Sequence, residues 1–169
     1  MVLLVVAGAA VPTLPMAYTE WRRAQVGNVE ASALRDLRAI LAAEVAYASV
    51  NGGFFDEPRC LANPAKCLKG DRVGEQVFLD SQRAAFDVRN GYAWSFHPGR
   101  AASPSLVAAG RISPSSVSSY AILARPRGWP GAVRVFCMDF SGQFCFWLGA
   151  DKVTAPDRGR CPGDCVVMS

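Results

Sequence analysis

The chain is 169 residues long and 51 % apolar, with a net charge of +4 and six cysteines. That length suits one globular domain plus an appendage. So slight a positive balance excludes a polybasic nucleic-acid binder on composition alone.

Val2 to Ala10 is an unbroken apolar run, too short to cross a bilayer as an ordinary helix. Counted whole, Met1 to Tyr18 reaches the low edge of spanning length at about eighteen residues, so a membrane anchor is one expectation. A secretory signal is the other, but no Lys or Arg precedes the apolar stretch and no charge of either sign comes before Glu20. The basic n-region of a signal is therefore missing. Neither reading accounts for Pro12 and Pro15, which a helix interior disfavours.

From Met16 to Val50 the sequence predicts one long helix. Leu34, Leu37, Leu41, Val45 and Ala48 recur three or four apart as a stripe for a core, and Arg35, Asp36, Arg38 and Glu44 fall on the opposite face. "NGG" at Asn51 to Gly53 stops it, with glycine for a left-handed cap. Fully helical, the segment reaches about 50 Å, more than the radius of so small a domain, so part of it must project.

Asp56 to Gly74 reads as loop, carrying prolines, glycines and the first cysteine pair. Its acids Asp56, Glu57, Asp71 and Glu75 lack the regular alternation of an EF-hand loop and read as a solvated surface. Val77 to Phe86 reads as a short helix or an irregular edge. "GYAWSF" alternates, which puts Tyr92, Trp94 and Phe96 on one face of a strand. Ala101 to Ser119, rich in Ser, Pro, Ala and Gly, reads as an exposed loop. Its composition makes Ser103, Ser105, Ser113, Ser115 and Ser116 candidate glycosylation positions.

"SYAILA" is the next strand, and "ARPRGWPGA" is a connection punctuated by proline and glycine. "VRVFCMDFSGQFCFWLG" predicts a hairpin with a three-residue loop, Phe140 to Gly142, and glycine at its left-handed position. In that register Cys137 faces Cys145, near disulfide distance if the pair is non-hydrogen-bonded; two buried free thiols are the other reading. The tail after Leu148 is irregular and closes on "CPGDC". A long N-terminal helix followed by strands in order predicts an α+β fold, the helix packed on an antiparallel meander with a disulfide-braced C-terminal region.

The cysteines fall in close pairs, Cys60 with Cys67, Cys137 with Cys145 and Cys161 with Cys165. Only the last pair has a spacing that suits a zinc knuckle. An even number in this pattern reads as a disulfide framework, which belongs to an oxidising compartment. The single histidine, His97, reads as a surface turn residue at a strand end. No Gly-x-Ser-x-Gly, phosphate loop or Rossmann glycine pattern occurs. Trp94 and Trp147 suit sheet or core positions, Trp21 an interfacial one, and Trp129 lies in the connection. No catalysis, cofactor, metal or small-molecule substrate is expected.

The arrangement resembles the type IV pilins, specifically the acidobacterial type. The residues that carry the likeness are "GNVEASALRDLRAILAAEVAYASVNGG" from Gly27, "GYAWSFHPG" from Gly91 and "YAILARPRGWPGAVRVFCMDFSG" from Tyr120. The final hairpin follows in the order that the family shows. The resemblance implies a filament subunit with an assembly and membrane segment over residues 1–26 and a head over 27–169. Val2, Leu3, Leu4, Val5 and Val6 would lie in the filament core, with Gly8, Pro12 and Pro15 in the zone where the family's helix unwinds during assembly.

It further implies an inner-membrane pool, a pilus assembly machinery as partner, and a helical polymer of identical subunits outside the cell that serves adhesion, motility or surface contact. The family's leader, its Gly/Phe cleavage point and the glutamate five residues into the mature chain have no counterpart; the fifth residue is Val5. A sequence that begins downstream of the true start accounts for this, and a divergent subunit with Met1 as its mature residue is the other expectation. Two alternatives stand beside the filament: a pseudopilin of a type II secretion system, and a membrane-anchored extracytoplasmic domain binding sugar or DNA. Arg22, Arg23, Arg35, Arg38, Arg125 and Arg127 would serve DNA, though such charges are more often solvated or paired.

Overall fold

The computed structural model describes residues 13–68, 76–127, 134–149 and 153–168, with side chains from residue 18 onward. Val2, Leu3, Leu4, Val5, Val6, Gly8, Pro12, Asp71, Glu75 and Trp129 lie outside the described residues. Helix α1 runs Thr13–Val50, three residues earlier than the sequence pattern predicts and with Pro15 inside it. At 38 residues it is about 57 Å long. It ends as expected: Gly52 turns left-handed (φ 64°) and the Gly53 N–H donates to the Ala48 carbonyl at 2.8 Å, closing the last turn.

The buried stripe of α1 is not quite the predicted one. Ala33, Leu37, Ile40, Tyr47 and Ala48 are buried, whereas Val45 is 57 % exposed. Asp36 and Glu44, expected on the solvent face, are buried instead. Glu44 stands between Ile40 and Tyr47 at helical spacing, so the helix carries a carboxyl straight into the core.

After α1 come α2 (Pro58–Ala62), a 3₁₀ turn (Pro64–Lys66) and α3 (Ser81–Ala84). The stretch expected as plain loop from Asp56 is thus partly helical, tied by a disulfide between Cys60 and Cys67. The sheet follows: β1 (Tyr92–Pro98), then α4 (Pro104–Ala108), β2 (Tyr120–Pro126), β3 (Arg134–Asp139), β4 (Phe144–Leu148) and β5 (Val166–Val167). All five strands are antiparallel in sequence order, a meander. The tail expected to be irregular therefore returns one short strand to the edge.

Alternation sorts the side chains into two layers. Tyr92 and Trp94 of β1, Tyr120, Ile122 and Ala124 of β2, and Phe136 and Met138 of β3 pack against α1. Ala121, Leu123, Val135, Cys137, Cys145 and Trp147 face the other way, where the C-terminal tail covers them. β2 has its first five residues buried, as a strand covered on both faces must.

The hairpin register is as predicted, with Cys137 opposite Cys145 and Gly142 at φ 81°. The other two disulfides are not the local pairs: Cys137 bonds Cys161 and Cys145 bonds Cys165. The ladder explains the difference. The Asp139 N–H donates to the Gln143 carbonyl at 3.2 Å, so two residues back Cys137 and Cys145 form another hydrogen-bonded pair, the wider kind. Each thiol instead points off the sheet to meet a cysteine of the tail, whose Pro162–Cys165 turn is closed by the Cys165 N–H on the Pro162 carbonyl.

Candidate functional site

At the C-terminal end of α1 the chain buries a polar cluster. The Tyr47 hydroxyl donates to Asp56 Oδ2 at 2.9 Å, the Glu57 N–H donates to Asp56 Oδ1 at 2.8 Å, and the Asp56 N–H donates to Glu44 Oε2 at 3.3 Å. Glu44 Oε1 has no hydrogen-bond partner among the described residues. Asn51, also buried, accepts from the Ser113 N–H at 2.8 Å and donates to Ser116 Oγ at 2.9 Å. It thereby fixes the segment before β2 to the end of the helix. The acid cluster read as a solvated loop is therefore split: Asp56 is buried, and Glu57 pairs with Arg59 at the surface.

Burial pushes the Glu44 carboxyl well above the usual carboxylate range, against the lowering effect of the Asp56 N–H hydrogen bond and with a smaller raising effect of the Asp56 charge. The same burial, together with the Asp56 charge, raises the Tyr47 hydroxyl. A raised carboxyl keeps its proton in the folded chain after the unfolded chain has lost it. Its stabilising contribution is full below the ordinary value near 4.5 and is lost as pH rises through the folded value. Glu44→Gln is therefore expected to melt higher than wild type at neutral pH, with the gap closing as pH falls to about 4. A gap of constant size across that range, measured by thermal unfolding, would contradict this origin.

A second buried charge lies on the other side of the helix stripe. Asp36, 3 % exposed, accepts from Arg83 Nε at 2.7 Å and from Arg89 Nε at 3.0 Å, so it ties α1 to the segment that leads into β1. Arg89 lies over the Trp94 ring at 5.2 Å, and the Asn90 carboxamide donates to Ser32 Oγ at 3.0 Å. Glu30 accepts from Arg134 Nη1 at 2.9 Å, a third clamp between helix and sheet.

The remaining sequence candidates are dispersed. His97 lies within β1 rather than in a turn, on the face away from α1, with its Nε2 2.9 Å from Ser95 Oγ. Burial and the nearby Arg125 push its imidazole below the usual histidine range. Among the described residues no carboxylate meets its other ring nitrogen, so the pair lacks the group that orients a catalytic base. Arg22 lies over the Tyr18 ring and Arg38 over Phe144.

Sγ atoms of Cys137, Cys145 and Cys161 lie within 4.8 Å of one another, but both disulfides consume them and no cysteine is free. Among the glycosylation candidates, Ser113 and Ser116 are buried, and Ser115 is half-buried against Cys60 Sγ at 3.6 Å. Only Ser103 and Ser105, beside α4, are exposed.

The first part of α1 is an exposed surface. Tyr18 and Trp21 are 56 % and 57 % exposed with ring centroids 6.0 Å apart, and every residue from Tyr18 to Ala24 is exposed. Among the residues of the helix whose side chains are described, the first buried one is Glu30. No helix among the described residues is long and apolar enough to cross a membrane. Comparison with known protein families, with curated proteins and with solved structures finds no match for the chain.

Proposed function

We propose that this chain is a non-catalytic structural subunit of an extracellular type IV pilus-like filament, polymerised through the first part of α1. The observation that carries the reading is the projecting helix. From Tyr18 to Ala24 every side chain is exposed, Tyr18 and Trp21 among them, and from there to Asn28 none is fully buried. Two exposed aromatics on neighbouring turns of one helix make sense with other subunits packed against them.

The motifs that resemble the pilins coincide with the second half of α1 and its cap, with β1, and with β2 and β3. The helix-on-meander arrangement with a braced tail is compatible with that family in general terms. In this reading, residues 1–26 are the assembly segment, held in the inner membrane until the assembly machinery extracts each subunit. The same helix end on every copy meets a different surface of the next, a heterologous contact that generates an open helical polymer. Three disulfides suit a filament exposed outside the cell.

Trp21→Glu places a charge on the proposed contact without touching the core. Loss of sedimentable polymer at an unchanged melting temperature is the expected result. Wild-type assembly by this variant would overturn the reading and favour an anchored monomeric domain.

A further inference from the structure

We propose that a cleft beside the Cys60–Cys67 loop binds an acidic saccharide, a sugar unit carrying a carboxylate or sulfate. The cleft has a volume of about 550 Å³ and is lined by Arg59, Asn63, Lys66, Cys67, Pro114 and Ser115 among others. That is room for one or two sugar rings, within the range of ordinary small-ligand sites. Among the described residues two cations line it and no carboxylate does. Glu57 accepts from Arg59 Nε at 2.5 Å, on one edge of that guanidinium.

Both walls are fixed before any ligand arrives. On one side the disulfide closes the loop that carries Asn63 and Lys66, with Arg59 next to its first cysteine. On the other, the buried Asn51 holds the Ser113 N–H at 2.8 Å, and Ser113 Oγ lies 3.2 Å from Ser115 Oγ. A site whose walls are already ordered loses less entropy on binding.

The lining decides the class of ligand. Hydroxyl and carboxamide groups of Ser115 and Asn63 match sugar hydroxyls, Pro114 and the Cys67 sulfur offer an apolar floor, and Arg59 and Lys66 match an anionic substituent. Among the described residues no aromatic ring lines the cleft, so those residues offer no platform for a nucleic-acid base. The cleft also lies by Asn51, at the end of α1 remote from Tyr18 and Trp21, and the inference does not depend on the filament reading.

The test is calorimetric titration of the full, oxidised chain at low salt with three probes: a disaccharide bearing one glucuronate, its neutral glucose counterpart, and sodium sulfate. The acidic disaccharide is expected to bind at least about tenfold more tightly than either of the others. Lys66→Gln and Arg59→Gln, both at exposed positions, are each expected to weaken it by about tenfold at unchanged melting temperature. Absence of binding by the acidic disaccharide, or equal binding by the neutral one, would overturn the proposal. So would full binding by both variants. Sulfate binding as tightly as the disaccharide would reduce the cleft to a small-anion trap and also refute it.

Discussion

Asp36→Ala is expected to destabilise the chain by about 3–5 kcal/mol, because it takes from the mostly buried Arg89 the carboxylate it is paired with, while the more exposed Arg83 keeps Asp80. Asp36 is the shared acceptor for Arg83 and Arg89, and Arg89 is itself mostly buried, its side chain 19 % exposed. Removing the carboxylate leaves that guanidinium over Trp94 with the Gln82 carbonyl and the less direct charge of Asp80, and its Nη2 already has no hydrogen-bond partner among the described residues. Removing one partner of a buried pair costs far more than the pair is worth against an apolar replacement. Asp36→Asn, which keeps the shape and one acceptor, should fall between wild type and alanine. Urea unfolding measures both; a loss below about 1 kcal/mol for the alanine variant would place the pair among solvent-screened surface bridges.

The second large effect lies in the tail. Breaking the Cys137–Cys161 bridge by changing both residues to serine is expected to cost about 2–5 kcal/mol. The closed loop spans 24 residues, for which loop-closure entropy alone gives about 3 kcal/mol. The bridge holds the tail over Leu123, Val135 and Trp147, so its loss also exposes that layer. Cys137→Ser alone should lower filament yield and thermal tolerance together. Peptide mapping without reduction should recover Cys137 joined to Cys161 and Cys145 joined to Cys165. Recovery of a Cys137–Cys145 peptide, or melting that does not change when reductant is added, would refute this account of the tail.

Much of the frame is legible in the chain because it is written locally. The cap at Asn51 to Gly53, the three-residue hairpin loop at Gly142 and the inward set Tyr92, Trp94 and Phe96 each follow from a few adjacent residues. The failures share a different cause. Glu44 and Asp36 read as solvent-facing because a carboxyl in a helix is normally outside; what buries them is Asp56 on one side and Arg83 with Arg89 on the other, all distant in sequence.

Val45 fails for the complementary reason. It extends the Leu34–Leu41 spacing, but the stripe runs instead through Ile40, Glu44 and Tyr47, and the polar residue within it masks its course. The disulfide partners were hidden because facing register does not fix which kind of ladder pair two cysteines occupy. β5 has two residues and no pattern of its own; the Cys145–Cys165 bridge next to it brings it to β4. The saccharide cleft joins residues 59–67 to residues 113–115, a juxtaposition that no local motif records.

The central claim is that the exposed start of α1 is an assembly surface. The most direct measurement is to shear the cell surface, pellet the fibres, and take the intact mass and N-terminal peptide of their main protein. The account predicts this chain in the fibres, with all six cysteines oxidised. Finding it only in the membrane fraction, absent from any fibre, would contradict the filament and leave a short periplasmic pseudopilus or an anchored binding domain in its place.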